Sequence, residues 1–137
     1  MSQVRAFTVG SVTYNAAMAT AVQQDELLGL IAAPVIERFI AMAKRQEDVG
    51  VVLLSSMFMA MNKAQKDKIA GILMARVFIN GTKTPVTVND FGGKVVQYNQ
   101  LLAELLRWNL ADFFDWLPSV LDGEQGSSNA EAPSTGT

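Results

Sequence analysis

The stretch at residues 98–121, YNQLLAELLRWNLADFFDWLPSVL, constrains the fold most, because it concentrates five aromatic residues and eight leucines or valines. An apolar load of that density has to close a core or meet a partner. Leu102, Leu105 and Asn109 follow Tyr98 at steps of four, three and four, and Leu101 and Leu106 widen the stripe, so the first half reads as one helix face. Asn109 followed by Asp112 then reads as a new helix start: the amide side chain accepts from first-turn N–H groups, and the carboxylate sits at the positive end of the dipole. Phe113, Trp116, Leu117 and Val120 continue as a second apolar stripe, until Pro118 limits the regular helix. Trp108 and Phe114 fall off both stripes. They are therefore expected to be more exposed than Phe113 and Leu117, and Trp108, Phe113, Phe114 and Trp116 together form the candidate partner-binding surface.

With 137 residues, half of them apolar, the chain has enough material for one core. The predicted organisation is a single globular helical domain over residues 1–122, carrying an N-terminal hairpin, followed by a disordered polar tail over 123–137. That tail, GEQGSSNAEAPSTGT, has no apolar residue larger than Ala and nothing to offset the entropy of ordering it. A net charge of −2 and a pI near 5.0 give no sign of the basic face that a nucleic-acid binder shows. The chain has no Cys and no His. Their absence removes disulfides, thiolate zinc sites, Ser-His-Asp chemistry and most transition-metal sites, so neither an enzyme nor a cofactor is expected.

Weaker signals each have a plainer explanation. Asp112 and Asp115 share a helix face, as a carboxylate metal pair would, but first-turn dipole stabilisation accounts for both. Gly92-Gly93-Lys94 lacks the spacing and the following hydroxyl of a phosphate loop. Lys63, Lys66 and Lys68 have no interleaved aromatics and read as a solvated face.

Along the chain, Phe7-Thr8-Val9 and Val12-Thr13-Tyr14 alternate around Gly10-Ser11, the pattern of a tight hairpin with Phe7 opposite Tyr14 and Val9 opposite Val12. Residues 16–24 favour helix, a second periodic run follows at Leu27, Leu28, Leu30 and Ile31, and Pro34 is predicted to open a separate segment reaching Arg45. The Ala-rich run from Ala16 could also pass for a short secretory core, but it lacks a basic lead-in and follows a strand pattern. Residues 49–61, VGVVLLSSMFMAM, carry no charge; at 13 residues they fall short of the roughly 18 to 20 needed to cross a bilayer and are predicted to be a central buried helix. Their methionines read first as core filler and second as an adaptable binding surface. Asn62 begins the next helix in a capping-box pattern with Gln65, and that helix is predicted to run past Val77 to Asn80-Gly81, with a strand at residues 77–79 as the competing reading. Residues 85–88 form a further short strand candidate, and Gly92-Gly93 breaks the chain before the long last helix. The fold class is mainly α: a small helical domain with an N-terminal β-hairpin and room for one further short strand.

Three passages, FTVGSVTY, TPVTVNDFGGKVVQY and above all WNLADFFDWL, resemble the tail assembly chaperones of long-tailed bacteriophages of the siphophage type. The resemblance spans most of residues 7–121. It implies a small helical protein that binds the tape measure protein, keeps it soluble and helps recruit tail tube protein in the host cytoplasm; from the charge balance and the short apolar runs, neither nucleic acid nor membrane is expected as a partner. It is compatible with a homo-oligomer, and with a longer frameshifted form extending from the tail region. A tape measure is long, helical and apolar-striped, so its chaperone needs an apolar surface that accepts amphipathic helices. A structural head-tail or tail completion protein, or a phage inhibitor binding a host protein, remains the alternative.

Overall fold

The computed structural model describes residues 3–45 and 47–119. Its elements are β1 (Val4–Val9), β2 (Val12–Ala17), α1 (Ala21–Lys44), α2 (Val51–Ala60), α3 (Lys63–Leu73), β3 (Val77–Ile79), a 3-10 turn (Val88–Phe91) and α4 (Val95–Asn109). A further helix, α5, covers residues 111–119. The fold is mainly α, with an N-terminal antiparallel hairpin extended by a third strand. The predicted tail at 123–137 lies outside the described residues.

The hairpin has the register expected from its turn, with Phe7 opposite Tyr14 and Val9 opposite Val12. Gly10 takes φ = +63°, which only glycine adopts cheaply, and a β-carbon there would lie 2.7 Å from the Gln97 side-chain nitrogen. Phe7, Val9, Tyr14 and Ala16 turn one face of the sheet into the core. Burial pushes the phenols of Tyr14 and Tyr98 above their ordinary pKa, with the negative charges of Asp90 and Asp67 respectively adding to the effect.

Ala16 and Ala17 belong to β2 and not to a helix, since pairing with β1 and β3 overrides the helical preference of alanine. The first helix starts instead at Ala21, where the Thr20 hydroxyl accepts from the Gln23 N–H and the Gln23 side chain accepts from the Thr20 N–H. It then runs unbroken through residue 34, against the expectation of a boundary there. A helix-interior proline leaves the carbonyl four residues back without its N–H partner, at a usual cost of about 3 kcal/mol. Here that carbonyl, Leu30 O, accepts a hydrogen bond from the Gln65 side-chain amide on α3. Leu27, Ile31 and Phe39 form a buried stripe on both sides of the proline, so burial further favours continuity. Gln65 is thus engaged with α1, and Asn62 caps α3 alone by accepting from the N–H groups of Ala64 and Gln65.

α3 ends at Leu73, and residues 77–79 are a strand, correcting the longer helix in favour of the competing reading. Val77 and Ile79 are β-branched and pair with Ala16 and Tyr14 on the open edge of β2. Residues 85–88 make no full strand: Pro85 forms a single bridge to Phe78, Val86 N–H bonds Val77 O, and the 3-10 turn follows.

α4 is the axis of the core. It touches α2, α3, β1 and the 3-10 turn, and it buries Tyr98, Leu101, Leu102, Leu105 and Leu106. Asn109 does not start α5. Its carbonyl oxygen accepts from Ala19 N–H at 2.8 Å and its amide donates to Leu105 O at 2.9 Å, so the side chain is spent on tying the β2–α1 connection to the end of α4. Asn109 is itself buried, where such a group must be paired.

Candidate functional site

The sequence-derived surface of four aromatics is rearranged by the way α5 sits. Leu110, Phe113, Phe114 and Leu117, at i, i+3, i+4 and i+7, are all buried. Phe114, expected to be exposed, is only 5% accessible; its ring lies 5.8 Å from Phe39 and 5.0 Å below the Arg107 guanidinium. Trp116, placed on the inward stripe with Phe113, is instead 51% accessible and stacks on Phe113 at 6.1 Å. Trp108 is half-buried, its ring edge-on to Phe7 at 5.3 Å. The misassignment has a physical cause. α5 packs around Phe39 of α1 while Arg107 of α4 covers Phe114, so its inward face is wider than the single stripe assumed and includes both phenylalanines. The i, i+3, i+4, i+7 series beginning at Leu110 was the signal that would have found it. Of the four aromatics, Trp116 is the one that stands open.

α2 departs from its expected burial in the opposite way. Leu54, Ser55, Met57 and Phe58 are buried, and the Ser55 and Ser56 hydroxyls bond back to the carbonyls of Val51 and Val52 at 2.7 and 3.1 Å. Val52, however, is 83% accessible and Met59 47%. A helix without a single charge therefore presents an apolar face outward.

Two open grooves flank α1. The larger, about 920 Å³, lies between the second half of α1 and α2, and is lined by Val35, Leu53, Met57 and Met61, with Arg38, Asn62 and Gln65 among its polar residues. The second, about 680 Å³, lies between the first half of α1 and α5, where Leu28, Ile36, Leu110, Phe113 and Trp116 meet two carboxylates, Asp25 and Asp112. Leu28 belongs to the periodic run read from the sequence, and Ile36 lies two turns further along the same helix; both are partly buried. Among the described residues no element covers either of them fully.

The carboxylates of α5 have local partners. Asp112 Oδ1 accepts from Phe113 N–H at 2.7 Å, while Asp115 lies 3.8 Å from Arg107. Among the described residues no three potential metal ligands gather at one point. Lys63 pairs with Asp67 at 2.9 Å on an exposed face, and desolvation lowers the pKa of Lys66, whose ammonium lies 5.7 Å from the Tyr98 ring. Among the described residues no helix is long and apolar enough to cross a membrane. The arrangement offers apolar surface that a partner can cover. Comparison with family models, with curated proteins and with solved structures finds no match.

Proposed function

We propose that the chain is a phage tail assembly chaperone that holds helical segments of a tape measure protein until tail tube protein assembles around them in the host cytoplasm. The observation that carries this reading is the open groove between α1 and α2, lined by Leu53 and Met57 of a helix without charge and by Met61 just past its end. Apolar surface of this kind is costly to leave in water, and methionine adapts to several apolar partners where a branched side chain would fit one. An amphipathic helix laid along such a groove buries its own stripe and is kept from aggregating.

Co-expression with a tape measure protein from the same genome tests it. Wild-type chain should bring the tape measure into the soluble fraction as a complex. Leu53→Glu and Met61→Glu, at partly exposed groove positions, should leave the chaperone folded and weaken the complex by about 2 kcal/mol or more, the size of an interface hot spot. A tape measure that stays insoluble beside the wild-type chain, or one solubilised equally by both variants, would sink the proposal.

A further inference from the structure

The two grooves beside α1 differ in charge. Among the described lining residues, the groove against α2 carries Arg38 as its charge, whereas the groove against α5 carries Asp25 and Asp112 and no cation. These carboxylates come from different helices and are both exposed, and neither is in an ion pair among the described residues. Between them lie Leu28, Ile36 and Phe113, with Trp116 standing at the rim.

From this combination we infer that the α1–α5 groove receives an amphipathic helix whose apolar stripe is flanked by Lys or Arg. The inference rests on reading this side of the molecule as partner-binding surface, and it names the chemistry of the partner. An apolar body covering the groove partly dehydrates both carboxylates, which is unfavourable unless cations arrive with it. A Lys or Arg on each side of the stripe supplies them, and a Glu-flanked helix would add like-charge repulsion instead. Trp116 gives the incoming helix a broad ring to pack on, and its face also attracts a cation. An i, i+3, i+4, i+7 stripe of leucines is the ligand side that such a groove reads.

Two fluorescein-labelled peptides of about 18 residues, long enough to be helical, test it on the full chain. Both carry the same leucine stripe, one flanked by lysines and the other by glutamates. Anisotropy titration should show the lysine peptide binding about tenfold more tightly, a preference that shrinks at about 0.5 M salt as screening takes hold. The Asp25→Asn, Asp112→Asn double variant should lose most of the preference, and Asp67→Asn on α3 should keep it. Trp116→Ala should weaken both peptides by a similar factor.

Equal binding of the two peptides, binding of neither, or a preference that survives in the double variant overturns the inference. The last outcome would assign the effect to the acidity of the whole chain. The tape measure experiment uses variants in the other groove, so either conclusion can fail while the other stands.

Discussion

α2 and the arm formed by α4 and α5 pack against the same core and treat apolar residues in opposite ways. α2 has ten residues, none charged, and buries four of them. α4 carries Glu104 and Arg107 and buries eight of fifteen, and α5 adds Phe113, Phe114 and Leu117. Hydrophobic content alone would rank α2 as the inner helix. What decides burial is the number of faces that neighbours cover: α4 meets α2, α3, β1 and the 3-10 turn, while α2 has α4 as its main neighbour and opens onto a groove on the side toward α1. An uncharged helix in that position keeps apolar surface available, whereas the arm spends its own on stability.

The largest test of this contrast is Phe114→Ala. Removing a ring held between Phe39 and Arg107 should cost about 3 to 5 kcal/mol in chemical denaturation, and Trp116→Ala two residues on should cost far less. Comparable losses for the two would mean that the exposed indole is also core. Asn109→Ala is next, at about 1 to 3 kcal/mol, because it strands the Ala19 N–H; hydrogen exchange at Ala19 should accelerate with it. Unchanged protection there would show the link to be dispensable. The smallest effect is expected at Val52→Asp in the first turn of α2: an exposed position where a carboxylate also meets the positive end of the helix dipole, so the melting free energy should move by no more than about 0.5 kcal/mol. Unfolding of that variant would erase the distinction between α2 and the arm.

Those positions also mark where the sequence was readable. The hairpin register followed from a two-residue turn and local alternation, which leave little choice once Gly10 is placed. The continuity of α1 across Pro34 did not, because the group that satisfies Leu30 O is Gln65, 35 residues away. β3 was visible only as a competing reading, since its three residues become a strand by finding the edge of β2. In the candidate site, the aromatic concentration was legible as a place where surface or core would form. Which ring would face water depended on α1 and α4 both reaching α5, and how far the grooves stay open depends on elements distant in the chain. No local pattern records how far a distant element reaches.

The bond from Ala19 to Asn109 also sets a schedule. It spans 90 residues, so the start of α1 cannot be fastened until the end of α4 has been synthesised. At elongation speeds of roughly 5 to 20 residues per second, that interval lasts roughly 5 to 20 seconds. For part of it α2 has left the ribosome while the helix that will cover it has not. A nascent chain of this design spends its first seconds as an exposed apolar segment, which makes the order of synthesis a factor in how much of it survives to fold.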